Sequence, residues 1–386
     1  MNKPNSISRH FNGFDGVRAI AAISVVIHHT EQFKHLFNLD SAYSNPIIRG
    51  FGSLGVDMFF VLSGFLITFL LISEQSRTDS ISIKKFYLRR AFRILPLYFT
   101  IIFLAFTFAI SFFAQFGGPI GQYSASQVQM LNQLFVPNLL TFGLILPNVA
   151  YSILPPLLFA SHTWSIGVEE QFYLIWPWVL KEGREYKWLP MFLGAVIGAA
   201  LHSYALLVIN SHDSSVTQIE FYICSYLVCF RLEALALGAL AGYICFHHPS
   251  LVEKYLGRAP IKALAGPGLI VLLIIGSFLP FGHFTFALLT AILLLAIQNS
   301  GTRYLNFEFL PLKYLGRMSY GIYMWHSYAI FFALLVFQKM DWLANVSPAM
   351  NAVLTVLVFI FTFLISDLSY RFLETPFLKI KERFSA

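Results

Sequence analysis

The chain has 386 residues, 57% of them hydrophobic and 12% charged, with a mean hydropathy of +0.67 and a formal charge of +7. So apolar a composition excludes an ordinary soluble domain and predicts an all-α, polytopic integral membrane protein. The positive balance is not a nucleic-acid signature, because the basic residues are parcelled into short loops between apolar runs.

The first fifteen residues are polar, and the first apolar run lacks a small-residue cleavage site, so no cleavable signal is expected and the first span is retained. That span, 17–37, carries Arg18 and His29 eleven positions apart. At about 100° and 1.5 Å per residue they share one helix face about 16 Å apart along the axis, and are expected to line one cavity. Asp15, one turn earlier, is placed to pair with Arg18. A neutral imidazole, with an ordinary pKa near 6.5, can take a hydroxyl proton, which makes His29 the candidate general base. The plainer reading is a core histidine bonded to a neighbouring helix.

The second span, 51–72, contains Asp57, an acid that needs a basic partner across helices or a ligand. Ser63-Gly64 reads as a small-residue packing step, since no base lies at a local spacing that would activate the serine. The third span, 96–115, is entered through Phe86 to Tyr98, where Arg90 and Arg93 are helix neighbours. Paired guanidinium forks suit phosphate, whereas Lys84, Lys85 and Arg89 are explained by anchoring at the membrane face.

Met130 to Leu146 is apolar but interrupted by Asn132, Gln133, Pro137 and Asn138, so 116–163 is predicted as a long outer loop with a re-entrant or interfacial segment. The fourth span, 164–180, places Trp164, Glu169 and Glu170 at its outer end, with Glu169 and Tyr173 on one face. The carboxylate suits sugar hydroxyls or a protonated partner. Trp164 suits either a sugar ring or the membrane interface.

Spans follow at 188–209, 221–246, 263–280, 281–297, 318–338 and 350–369, about ten in all. Cys224, Cys229 and Cys245 lack the spacing of a metal or redox site and read as packing residues. Arg231 and Glu233, two apart, face different ways, so each is expected to meet another helix. Tyr320, Tyr323 and His326 either add polar contacts to the same cavity or form an interface belt.

If Met130 to Leu146 does not cross, Lys and Arg fall in alternate loops: Arg77 to Arg93 share a side with the Lys181, Arg184, Lys187 cluster, with Lys254, Arg258 and Lys262, with Arg303, Lys313 and Arg317, and with the tail. The other side keeps Lys34, Arg49 and Lys339. Both termini are therefore predicted to be cytoplasmic. No internal repeat is found, and 1–386 reads as a single integral-membrane domain.

At these positions the sequence resembles acyltransferase family 3, membrane O-acyltransferases of the O-antigen and exopolysaccharide acetyltransferase type. The resemblance runs nearly end to end. It rests on Phe14-Asp-Gly-Val-Arg-Ala-Ile-Ala-Ala followed by His29, on Gly-Val-Asp-Met-Phe-Phe-Val-Leu-Ser-Gly-Phe-Leu-Ile from Gly55, and on Arg90-Ala-Phe-Arg93 with Pro96 and Tyr98. Thr163-Trp-Ser-Ile-Gly-Val-Glu-Glu-Gln-Phe-Tyr, Leu315-Gly-Arg-Met-Ser-Tyr-Gly-Ile-Tyr-Met-Trp-His326 and Glu374-Thr-Pro376 complete it.

The resemblance implies ten transmembrane helices in a bacterial inner membrane and transfer of an acyl group, by family expectation acetyl, from acyl-coenzyme A to a glycan or lipid-linked saccharide. Acetyl-coenzyme A is then a donor substrate rather than a resident cofactor, and no metal is expected. The resemblance makes Arg18 and His29 essential, with Glu169 on the family's acidic position and Arg90 and Arg93 on its paired-arginine motif. Trp164, Asp57, Tyr323 and His326 are the candidate acceptor-binding residues. Many relatives continue into a C-terminal hydrolase-like domain; this sequence stops at Ala386 without one, so transfer is expected to finish alone or with a periplasmic partner protein. The rival reading is a transporter or flippase for a glycan or lipid precursor, which moves substrate without consuming coenzyme A.

Overall fold

A computed structural model describes residues 11, 13–182, 186–211, 215–279, 281–298, 309–344 and 347–384. Arg184 and Arg303, used above in the charge bias, lie outside the described residues. The helices are α1 (Phe14–Leu36), α2 (Pro46–Thr78), α3 (Ile83–Leu104), α4 (Ile110–Ala114), α5 (Gly118–Gln133), α6 (Phe135–Gly143), α7 (Pro147–Ile153), α8 (Trp164–Glu182) and α9 (Trp188–Asn210). They continue with α10 (Gln218–Phe230), α11 (Leu232–His247), α12 (Pro249–Leu256), α13 (Ala259–Ile275), α14 (Gly282–Gln298), α15 (Leu310–Arg317), α16 (Ser319–Lys339), α17 (Pro348–Ser369) and α18 (Thr375–Glu382). No strand occurs among the described residues.

Helix covers most of the described residues in each of the ten predicted apolar stretches. Among the described residues, seven helical stretches are long and apolar enough to cross a membrane, with α3 and α4, α10 and α11, and α17 and α18 each forming one stretch, and α14 is a shorter apolar helix. The helices α1 and α8 fall outside that set because Arg18, His28 and His29 interrupt one and Glu169 and Glu170 the other. Of these, Arg18, His28, His29 and Glu169 line the cavities described below.

Local chemistry sets the boundaries. Asn45 caps α2 by accepting from the Ile47 N–H at 2.9 Å, with Pro46 in the first turn, where its missing N–H costs nothing. Thr217 and Glu220 form a reciprocal capping box on α10. The predicted 221–246 span is broken at Arg231, which adopts a left-handed conformation (φ 46°) between α10 and α11. Within 116–163 the chain forms α5, α6 and α7, turning at Leu134, and none of the three is among the helices long and apolar enough to cross. They are tied to the bundle by hydrogen bonds from the Tyr98 hydroxyl to the Phe142 carbonyl (2.8 Å) and from the Ile120 N–H to Gln338 Oε1 (3.2 Å).

The centre of the bundle is α2, packed along α1 and α11. Gly64 of α2 lies against the Leu235 carbonyl and Gly238 of α11 against the Val61 backbone, so a Cβ at either would collide with main chain. Small residues are what allow two membrane helices to approach this closely, since lipid supplies no hydrophobic drive for their association. Outward, α17 exposes Val353, Val356, Ile360, Leu364 and Leu368, and α9 exposes Phe192, Val196 and Leu207. Such apolar stripes are costly in water and neutral against lipid.

Candidate active site

Two cavities meet at Tyr323. The first, about 240 Å³, is lined by Arg18, Ser63, Arg90, Arg93, Ser165, Glu169, Tyr173, Tyr320 and Tyr323. The second, about 610 Å³, includes His28, His29, Arg49, Tyr151, His162, Trp164, Arg231 and Tyr323 in its wall. They are called here the arginine cavity and the histidine cavity. The sequence-based expectation that Arg18 and His29 line one cavity is corrected. Eleven residues of α1 carry the chain past the wall between the two, where the Tyr323 hydroxyl is bonded to Ser165 Oγ (2.8 Å) and the His162 carbonyl (2.5 Å).

In the arginine cavity the guanidinium groups differ in how they are held. Arg18 donates to Asp15 at 3.0 Å, as their spacing predicts. Gly316 brings α15 against the Asp15 backbone, with Arg317 3.9 Å from the same carboxylate. Arg89, outside the cavity, is fully engaged by Glu74 (2.8 Å) and the Phe384 carbonyl (3.0 Å). Arg90 and Arg93 have no ion-pair partner among the described residues; Arg90 instead lies over the rings of Phe86 and Tyr173, 5.8 and 5.4 Å from their centroids. Two guanidinium groups without ion-pair partners, half-buried on adjacent helix turns, have the chemistry that suits anionic oxygen. Glu169 is the one carboxylate among the described residues of this wall, and it accepts from Tyr173 at 3.0 Å, which in turn is 2.5 Å from Ser63 Oγ. Ser63 therefore faces the cavity, while Gly64 does the packing.

In the histidine cavity, His29 Nδ1 is 3.0 Å from the Val25 carbonyl one turn back. A carbonyl only accepts, so Nδ1 carries the proton and Nε2 keeps its lone pair. His326 lies behind, its ring tilted 4.8 Å from that of His29 and edge-on 4.9 Å from that of His162. The His326 Nδ1–H donates to the Tyr323 carbonyl at 2.5 Å. Burial, reinforced by neighbouring His29, lowers the His162 imidazole to about 3, so it stays neutral. Trp164 stands in the cavity wall, with Phe60 at 6.1 Å and Tyr151 at 6.0 Å between ring centroids.

The candidate acceptor residues thus separate. Trp164 and Tyr323 line cavities, whereas His326 backs His29 and Asp57 faces neither cavity. Asp57 is fully buried between Arg231 (3.2 Å) and His283 (2.5 Å). Glu233 meets His202 of α9 at 2.8 Å, so Arg231 and Glu233 do engage different helices. Sequence reasoning gave no role to His162 or to Arg231 in a cavity wall. The only signals were an ionisable residue inside an apolar run and a histidine two positions before Trp164.

The structure is thus an all-helical membrane protein with an arginine-lined cavity and an oriented imidazole on the two sides of one tyrosine wall, an arrangement suited to group transfer. The chain belongs to acyltransferase family 3: the family's acyltransferase domain matches residues 11–371. Similar proteins include the peptidoglycan O-acetyltransferase OatA of Listeria monocytogenes, 29% identical over 401 residues covering 98% of this chain and 58% of that protein. The O-acetyltransferase OatA of Staphylococcus aureus is 28% identical over 96% of this chain and 58% of its own length. A putative O-acetyltransferase of S. aureus strain COL is 26% identical over 98% of this chain and 60% of its own length. The chain therefore spans about three-fifths of the length of these relatives. No solved structure matches it.

Proposed function

We propose that the protein is an O-acetyltransferase of a bacterial inner membrane, with both termini cytoplasmic, that moves an acetyl group from acetyl-coenzyme A to a hydroxyl of a cell-surface glycan or lipid-linked saccharide. The observation that carries this reading is the juxtaposition of unpaired Arg90 and Arg93 in one cavity with an oriented His29 in the next, Tyr323 being common to both walls. The donor's phosphates meet Arg90 and Arg93, and its pantetheine arm carries the thioester past Tyr323. An acceptor hydroxyl in the histidine cavity gives its proton to His29 Nε2 as its oxygen attacks the thioester carbonyl. The C–S bond then breaks, the new ester leaves with the acceptor, and the proton passes to the departing thiolate. Arg18, fixed by Asp15, steadies the donor from the arginine side, and Glu169 holds the Tyr173–Ser63 chain in that wall. The relatives named as O-acetyltransferases support acetyl as the group, and the one named for peptidoglycan supports a glycan acceptor.

The test is release of free coenzyme A by purified protein in nanodiscs, given acetyl-coenzyme A and a lipid-linked glycan fraction. Acceptor-dependent release that falls about 10²–10⁴-fold in His29→Ala is expected for loss of a general base. Undiminished release in folded His29→Ala sinks the base assignment. Movement of a lipid-linked glycan with no coenzyme A release replaces the transferase by a flippase.

A further inference from the structure

A sugar hydroxyl can donate a hydrogen bond to a carboxylate. The histidine cavity has none: among the described residues of its wall there is no Asp or Glu. Glu169 belongs to the arginine cavity. Glu31, on the same helix as His29, is turned away onto Lys34 (2.8 Å) and the Ala42 N–H (2.7 Å). The wall instead offers two guanidinium groups, Arg49 and Arg231, beside the aromatic faces of Trp164, Tyr123 and Tyr151.

The two arginines are set by different means. Arg49 is exposed on the first turn of α2 and has no ion-pair partner among the described residues. Arg231 occupies the break between α10 and α11 in a left-handed conformation, φ 46° and ψ 39°, that costs a non-glycine residue energy and persists only where its surroundings impose it. Its Nε donates to the Val228 carbonyl (2.8 Å) and its Nη1 to Asp57 (3.2 Å), with His283 on the other carboxylate oxygen at 2.5 Å. Asp57, itself held by His283, and the Val228 carbonyl thus fix the guanidinium through Nη1 and Nε, and Nη2 makes no hydrogen bond among the described residues, on a residue that lines the cavity. A guanidinium fixed through two of its nitrogens, with the third left to donate, is preorganised to meet one oxygen of a carboxylate or phosphate.

From this we infer that the histidine cavity binds an anionic saccharide, its ring on the Trp164 and Tyr151 faces and its carboxylate or phosphate on Arg231 and Arg49. The inference rests on the acyl-transfer reading for calling this occupant the acceptor, and it narrows the acceptor to sugars that carry a negative charge near the acetylated hydroxyl.

The experiment is titration calorimetry of the whole protein in nanodiscs with three probes. They are the disaccharide N-acetylglucosaminyl-N-acetylmuramic acid, which carries one carboxylate, its carboxyl-reduced form, and the reduced form linked to a short prenyl diphosphate. At least one anionic probe is expected to bind about tenfold more tightly than the reduced disaccharide, as one charge-assisted hydrogen-bond pair provides. Which one does so separates a sugar carboxylate from a carrier phosphate. The preference is expected to shrink about threefold in Arg49→Gln, a change at an exposed side chain. It is expected to vanish in the triple variant R49Q/D57N/R231Q, which leaves no buried charge unpaired. Should the triple variant not fold, Arg49→Gln decides alone. Equal affinity for all three probes, no measurable binding of the anionic ones, or a preference unchanged in Arg49→Gln overturns the inference. Coenzyme A release is read in the same preparations. Acetyl transfer without anionic preference sinks this inference alone, whereas anionic preference without any release sinks the transferase reading and leaves an anion-binding cavity.

Discussion

The hydroxyl of Tyr323 lies 2.8 Å from Ser165 Oγ, and these two side chains, one from α16 and one from α8, close the wall that separates the arginine cavity from the histidine cavity. The same hydroxyl donates to the His162 carbonyl at 2.5 Å, so one group ties three elements together at the place where a thioester would have to pass.

Replacing Tyr323 by Phe removes both bonds while keeping the ring against Phe59, whose centroid is 6.1 Å away. The buried His162 carbonyl then loses a donor, which is expected to cost about 1–2 kcal/mol. Fluorescence-monitored thermal unfolding in nanodiscs measures it. Because the wall is loosened rather than removed, coenzyme A release without acceptor is expected to rise relative to productive transfer. A variant as stable and as tightly coupled as the parent would show that Tyr323 is passive filling.

Arg89, Arg90 and Arg93 share one helix, but only Arg89 is already spent on Glu74 and the Phe384 carbonyl. Arg90→Gln and Arg93→Gln are therefore expected to raise the KM for acetyl-coenzyme A about tenfold each, the size of one charge-assisted contact, with the effect growing at low salt. Arg89→Gln should leave that KM within about twofold and act on stability instead. Steady-state kinetics at two ionic strengths separates the three. Equal KM effects at all three positions would make the cluster a simple membrane anchor.

Local spacing carried much of the site into the sequence. Asp15 with Arg18 and Glu169 with Tyr173 are contacts one helix turn long, and both are present. The polar interruptions in Met130 to Leu146 likewise announced that no long helix forms there. What spacing could not carry were contacts across hundreds of residues. Examples are His326 behind His29, Arg231 on Asp57, and the bonds of Tyr323 to Ser165 and His162 that split one expected cavity into two. The helix break at Arg231 was invisible for a different reason: nothing in Phe230-Arg-Leu-Glu disfavours a helix, and the side chain's partner there, Asp57, is 174 residues away. The comparisons add the family, not these contacts.

Gly64 and Gly238 sit at the closest approach of α2 and α11, each against main chain rather than a side chain that can move. Gly64→Ala is expected to cost about 1–3 kcal/mol, because backbone must shift to admit the methyl group. The neighbouring Ser63 and the motif around Arg231 would move with it, so loss of coenzyme A release should accompany the loss of stability. Ser63→Ala, at a position already filled by a side chain, should leave thermal stability within about 1 kcal/mol. If Gly64→Ala were neutral in thermal unfolding, the close helix contact would not be a constraint on this sequence.

The Asp57–Arg231 pair offers a cycle that distinguishes a strut from an idle contact. Both side chains are buried, at 0% and 6% exposure, and Asp57 sits at the centre of the bundle with Arg231 and His283 as its partners. Arg231→Ala leaves a carboxylate in a low-dielectric interior with one histidine for company, and breaking such a pair from one side is expected to cost about 3–5 kcal/mol, towards the lower end because His283 stays. Asp57→Asn should cost less, since Arg231 keeps the Val228 carbonyl and lines the histidine cavity. The double variant D57N/R231A removes both charges and should recover at least half of the Arg231→Ala loss, a coupling energy read directly from thermal or denaturant unfolding of the three variants. Additive losses would mean that the two residues act separately, and that the left-handed turn at Arg231 is held by the chain around it rather than by the acid it meets.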